Sequence, residues 1–330
     1  MRERPANEAA GDNRGRSGAR AMEHDEMRPV LYYSDDYEAD IGPHVFPMRK
    51  YRLVKEKLLS SGIATDDDFA EPAPATIEDA LLVHTRTYVA KLLNGTLSPL
   101  EERTLEVPYS RELVEKSFLT AGGTIAAVRS AFERGVGVNI GGGLHHAFPD
   151  HGEGFCVLND PAMSVARALE DGLAGRVAMV DCDVHQGNGT AAIFAGDERV
   201  FTFSIHHEHN YPMIKPPSDL DIGLPNDAGG DLYLTHLESG LRTIFDEFEP
   251  EMVLFIAGAD PFERDLLGGL SLTKSDLADR DAVVMEACAG HGVPFVVTLA
   301  GGYAEDTADT VDIHASTIAR AVAAGESLAD

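Results

Sequence analysis

Asp181, Asp183 and His185 stand two residues apart at the end of the apolar run Arg176–Cys182. In an extended strand that spacing puts all three side chains on one face. Two carboxylates and an imidazole suit a divalent cation. Asp260, just past the run Met252–Ala257, could add a further oxygen. Asp183, His185 and Asp260 then make a three-ligand set, and a catalytic metal keeps its remaining positions for water and substrate. Such ligands suit Zn²⁺, and also Fe²⁺, Co²⁺ or Mn²⁺. Read alone, Asp-x-Asp-x-His also fits two turn-capping aspartates beside a hydrogen-bonded histidine.

Other strand ends are loaded in the same way. His145 and His146 follow Gly141-Gly142-Gly143. Glycine lets the chain turn tightly beside a ligand. Adjacent imidazoles there could move protons near neutral pH. The tract lacks the form of a phosphate loop. Tyr303 follows Gly301-Gly302 and could donate a hydrogen bond to a developing oxyanion; a packed core tyrosine is the plainer reading. His206-His207-Glu208-His209 reads as a polar loop at a pocket rim rather than a metal site. Neither GxSxG nor HExxH occurs, which speaks against serine-hydrolase and zincin chemistry.

The elements that must position these groups alternate in type. Strands are expected at Val30–Ser34, Val136–Ile140, Arg176–Cys182, Val200–Ile205, Met252–Ala257 and Pro294–Ala300. Helices are expected at Met48–Ser60, Glu78–Asn94, Ser110–Arg134, Pro161–Asp171, Gly230–Phe248 and Ser275–His291. This alternation predicts an α/β fold: a mostly parallel open sheet in a three-layer αβα arrangement. Ligands in such sheets bind beyond the carboxyl ends of the strands. Residues 1–28 read as a disordered tail, and 29–330 as a single domain. The cysteines, Cys156, Cys182 and Cys288, are few and scattered, which suits a reducing, cytoplasmic setting. No apolar run is long enough for a membrane span. The net charge of −28 argues against a general affinity for nucleic acid.

Five ordered segments resemble the zinc-dependent histone deacetylase superfamily, which includes acetylpolyamine amidohydrolases and acetoin-utilisation proteins. They are GGGLHHAFPDHGEGFCVLNDPA at 141–162, VDCDVHQGNGTAAIF at 180–194, VFTFSIH at 200–206, AGADPFERDLLGGLSLT at 257–273 and LAGGYA at 299–304. HTRTYVAKLL at 84–93 is a weaker match. HVFPMRKYRL at 44–53 and HQGNGT at 185–190 look nearest to bacterial members allied to class IV. The resemblance covers roughly residues 29–320 and implies the arginase/deacetylase type of sheet.

Residue by residue, the resemblance implies Zn²⁺ on Asp183, His185 and Asp260. His145 and His146 match the tandem catalytic histidines, with His146 the main general base and acid. Asp181 matches the carboxylate that orients His145. Tyr303 matches the tyrosine that stabilises the oxyanion. Asn188 stands where class I members have Asp; a neutral Asn orients His146 without raising its pKa as a carboxylate would. Gly154, Phe155, Gly301 and Gly302 match the acyl-lysine channel. Tyr211 falls near the opposing aromatic wall, in a loop that departs from the usual pattern. A structural K⁺ or Na⁺ is implied at Asp181, Asp183, His185 and Ser204. The implied activity is hydrolysis of an acyl group, acetyl first, from a lysine amine by metal-activated water. An acylated polyamine is the rival substrate, and a silent acyl-ligand sensor or scaffold the rival class. An arginase-like hydrolase shares the fold but needs two manganese ions, and ligands for one are present here.

The acidic excess is far larger than such a site needs. Asp and Glu number 55 against 27 Lys and Arg, and only seven of the 27 are lysine. This composition suits a salty solvent, where screening relieves self-repulsion. Melting temperature and activity should both rise as KCl approaches molar levels. Maxima in dilute buffer would rule salt adaptation out.

Overall fold

A computed structural model describes residues 28–328. The expected tail lies outside the described residues, except Arg28, which is tied to Asp68 by a 3.0 Å ion pair. Among the described residues eight strands form one sheet. They are β1 (Leu31–Tyr32), β2 (Phe69–Ala70), β3 (Val136–Asn139), β4 (Val177–Asp181), β5 (Val200–His207), β6 (Leu220–Leu224), β7 (Met252–Ile256) and β8 (Phe295–Thr298). The spatial order is β2-β1-β3-β8-β7-β4-β5-β6. Every pair is parallel.

Composition explains the middle of this order. β3, β4, β7 and β8 are buried along their whole length. A parallel strand covered on both faces reads as a continuous apolar run, as these do. The edges differ. β2 has two residues, and β6 alternates Leu220, Asp221, Ile222, Gly223 with partial exposure. Neither has an apolar run long enough to stand out in the sequence.

The helices are α1 (Lys50–Ser60), α2 (Ile77–Ala80), α3 (Arg86–Asn94), α4 (Pro99–Leu105), α5 (Arg111–Arg134), α6 (Asp160–Glu170), α7 (Asn188–Phe194), α8 (Gly230–Thr243), α9 (Lys274–His291) and α10 (Thr307–Leu328). α5 packs with α6, while α10 packs with α1 and α9, which gives two helical layers around the sheet. Polar residues set the helix ends. The Ser110 hydroxyl accepts from Leu113 N, and α5 stops at Gly135. The helix expected over Glu78–Asn94 is broken. α2 ends at Ala80, and Thr85 caps α3 by accepting from Tyr88 N. His84, between them, is buried with Nδ1 on Phe148 O and Nε2 accepting from Asn159 N. That tertiary demand outweighs the helical periodicity. Beyond α8 a π turn at Ile244–Phe248 completes the expected helix.

One buried cation ties the layers to the sheet. Arg280 of α9 has no exposure, bonds Asp281 through Nε at 2.9 Å, and donates through Nη1 to the Gly258 and Cys182 carbonyls. Those carbonyls follow β7 and β4. Thr317 of α10 holds Asp281 from the other side. Arg280→Leu would leave the Asp281 carboxylate buried without its partner, which typically costs about 3–5 kcal/mol. Urea unfolding should show a loss of that order; a loss below about 1 kcal/mol would mean that the pair adds nothing over an apolar contact.

Candidate metal and acyl-amide site

The loops after β3, β8, β7 and β4 meet at one end of the sheet, and these four strands are neighbours. β4 ends at Asp181, so the expectation that Asp181, Asp183 and His185 share one strand face does not hold. The chain bends after Asp181 instead. Asp181 Oδ1 accepts from Asp183 N at 3.1 Å, and Asp183 Oδ1 from His185 N at 3.0 Å. Each aspartate thus shapes the turn that aims the next side chain. The turn-capping reading of Asp-x-Asp-x-His is thus realised for both aspartates.

Asp183, His185 and Asp260 converge, with one candidate ligand atom from each lying within 4.8 Å of the others. Asp183 Oδ2 accepts from Gly301 N and Asp260 Oδ1 from Val184 N, both at 2.9 Å. His185 Nδ1 faces Asp183 Oδ1 at 2.9 Å and Asp260 Oδ2 at 3.3 Å. Asp260 Oδ2 is fully buried and has no hydrogen-bond partner. An orphaned carboxylate oxygen aimed at a second carboxylate and an imidazole fits a divalent cation. The room is made by absent side chains. A Cβ on Gly301 would stand 1.9 Å from Asp260 Oδ2, and one on Gly258 2.6 Å from Asp183 Oδ2. Asp181 does not join the set, because its Oδ2 is 2.6 Å from His145 Nδ1. Ser204 lies opposite Asp181 across the β4–β5 pair, with its hydroxyl on His206 Nδ1 at 2.9 Å.

The two histidines are buried side by side. Their Nε2 atoms are 3.1 Å apart. Burial opposes charge on His145, but Asp181 and Asp183 outweigh it and raise the ring to about 9. Burial and the nearby His145 and His185 hold His146 well below its ordinary value. The two shifts run in opposite directions, and His146 is the ring held neutral. His146 Nδ1 lies 2.7 Å from Asn188 Oδ1.

A channel leads to these groups between Phe155, Gly154, Tyr211, Leu267 and Tyr303, with Glu106 at its mouth. Gly154 has φ +51°, and a Cβ there would press on His146 and Tyr211 at 2.8 and 3.0 Å. Phe155 also holds a left-handed φ of +69°. The Tyr211 ring stands edge-on to His146, 5.0 Å between centroids. Its loop departs from the expected pattern, yet the structure brings it to the wall. The Tyr303 ring is 6.4 Å from that of His185. Burial and then the Asp183 and Asp260 charges raise its phenol well above the usual range, so it remains a donor. Gly302, at φ +139°, seats this turn.

Three groups here carried no signal in the sequence reading. Lys50, fully buried, donates to Ala300 O at 2.6 Å and sits over the Phe46 ring at 4.7 Å. Burial lowers it to about 8 against the pull of Asp260 and Asp183. Asp265 accepts from Tyr303 N at 2.6 Å. Glu153 accepts from Asn188 Nδ2 at 2.7 Å. Polar runs hid all three; a lone lysine on the apolar side of α1 was the one available hint. His206 and His207 correct the expectation of a rim loop, for both are buried within β5.

Residues 44–318 match the family model described as the histone deacetylase domain. An uncharacterized protein of Picosynechococcus is 40% identical over 286 residues, 87% of this chain and 95% of that protein. A probable deacetylase of Archaeoglobus fulgidus is 31% identical, covering 84% of this chain and 82% of its own. Histone deacetylase 2 of Arabidopsis thaliana is 29% identical over 85% and 76% of the two chains. The crystal structure of a deacetylase homologue from Aquifex aeolicus superposes with a TM-score of 0.76 at 24% identity, over 89% of this chain and 84% of that one, a likeness of fold. Among the described residues no helix is long and apolar enough to cross a membrane.

Protons and a metal compete for the same three side chains. Burial and the neighbouring Asp183 raise Asp260 to about 6. Burial would lower His185, but the two facing carboxylates outweigh it and raise the ring to about 10. At neutral pH a metal must therefore displace the His185 proton, and below about 6 that of Asp260 too. Affinity should fall as pH drops, most steeply below 6, and loading at pH 7 should release protons. Calorimetry in buffers of different ionisation enthalpy reads this directly. Binding without proton release would exclude this ligand set.

Proposed function

The chain belongs to the histone deacetylase family, and from that membership we propose that it removes an acyl group, acetyl first, from the side-chain amine of lysine. At the coarser level it is a metal-dependent deacetylase-type amidohydrolase. The observation that supports amide hydrolysis is the meeting of three metal-fitting side chains, a neutral histidine and a protonated phenol at the inner end of one aromatic-walled channel.

When bound at Asp183, His185 and Asp260, a divalent ion, zinc in our reading, supplies a Lewis acid for the carbonyl and acidifies the attacking water. The rest falls to the chain. Gly154, Phe155 and Tyr211 hold the acyl-lysine stem between flat apolar faces. His146, neutral with its Nδ1–H on Asn188, accepts the water proton at Nε2 and returns it to the leaving nitrogen. Asp181 fixes the orientation of His145 through its Nδ1. Tyr303 donates its hydroxyl hydrogen to that oxyanion. Gly301 and Gly302 let the Tyr303 turn come close. Carboxylate and free amine are the products. A monovalent K⁺ or Na⁺ at Asp181, Asp183, His185 and Ser204 would fix the β4 turn from behind. We assign all of this to one catalytic domain over residues 29–330.

An acylated polyamine is the second reading. Glu106 at the channel mouth suits a cationic remainder, and a chain of −28 charge draws polyamines as well as lysine-rich peptides. His146→Ala and Tyr303→Phe should each lower kcat/KM on an acetyl-lysine peptide by roughly 100-fold or more. Near-normal turnover by Tyr303→Phe would remove that residue from the mechanism. A higher kcat/KM for acetylspermidine than for the peptide would replace lysine by polyamine as the substrate class.

A further inference from the structure

Asn188 presents a choice that a carboxylate would not. One end of its amide accepts hydrogen bonds and the other donates. Turned one way, Oδ1 accepts from His146 Nδ1–H and leaves Nε2 free to take a proton. Turned over, the amide would donate to Nδ1 and drive the ring proton to Nε2, where it blocks a base. Nothing in the Asn188 side chain itself selects between these.

Glu153 does select. Its Oε1 lies 2.7 Å from Asn188 Nδ2 and 3.0 Å from the Tyr211 hydroxyl. A carboxylate only accepts, so the amide must turn its NH₂ toward Glu153 and its oxygen, at 2.7 Å, toward His146. Oε2 faces His151 Nε2 at 3.3 Å, and His151 leans on Asp150. The Glu153 backbone is pinned as well, through a two-way bridge with Cys156. We propose that Glu153 is a positioning residue: it fixes the flip of the Asn188 amide, through it the Nδ1–H tautomer of His146, and with the same oxygen anchors Tyr211 against the channel. Burial would raise the Glu153 carboxyl, but the donors His151, Asn188 and Tyr211 outweigh it and hold it below its ordinary value. It stays an acceptor at neutral pH. The carboxylate that class I members place directly on the second histidine is here set one residue further out.

The inference rests on the reading of His146 as the base, and its test separates the two. Glu153→Gln keeps the shape and loses the obligatory acceptor. It should lower kcat by about tenfold or more, since a histidine base contributes roughly 100-fold or more. Asn188→Asp supplies the sharper test, because Asp cannot donate. In the wild-type background it sets a carboxylate against Glu153 and should lower kcat. In a Glu153→Ala background it restores a fixed acceptor for His146 and should raise kcat. Opposite signs are the expected result. The same sign in both backgrounds, or unchanged kcat in Glu153→Gln, would overturn the proposal. Imidazole nitrogen NMR of ¹⁵N-histidine protein gives a readout besides turnover, with the His146 signals identified by their loss in His146→Ala. Wild type should show Nδ1–H, and Glu153→Ala a shift toward Nε2–H; an unchanged tautomer would also overturn it. If the wild type cleaves no acyl-amine, the functional reading fails while these spectra still decide the role of Glu153.

Discussion

Three carboxylates packed together out of water set the terms for the rest of this site. Asp181, Asp183 and Asp260 are all nearly inaccessible. Like charges in a low-dielectric interior repel strongly unless each is given a partner. The structure divides the task. Asp181 hands its charge to His145, and Asp183 takes the Gly301 N–H and faces His185. Asp260 takes the Val184 N–H on one oxygen and turns the other, without a hydrogen bond of its own, toward His185 at 3.3 Å. Arg280 and Lys50 lie behind them, each donating to carbonyls of the site loops. Neither cation reaches a metal-facing carboxylate oxygen by hydrogen bond. They offset the field of the acids without occupying the position that a metal would take.

Much of this was legible in the chain, and the reason is physical. A strand buried on both faces must be a continuous apolar run, so the central strands announce themselves. Whatever polar groups follow such runs fall at one end of the sheet. Asp183, His185, His145, His146 and Tyr303 were found this way. What stayed hidden depends on tertiary demands. The break at His84 follows from a buried ring that needs two partners. The strand β6 is defined by its pairing with the edge of β5, not by an apolar run of its own. Lys50 and Arg280 are charged residues in the interior, and composition argues against placing them there. Glu153 sits among acids and glycines, and nothing in that run marks the one carboxylate that turns inward.

The sheet order carries one more consequence, and it concerns assembly. β3 and β4 bring the histidine pair and the first aspartates, but they are not neighbours; β8 and β7 lie between them. In the finished sheet the two strands that follow last in the chain fill the centre between the two that carry the early half of the site. Asp260 and Tyr303 reach the site only when the last quarter of the chain inserts there. Pairings this distant in sequence form late and slowly. A ligand that binds only the folded state would stabilise the completed sheet.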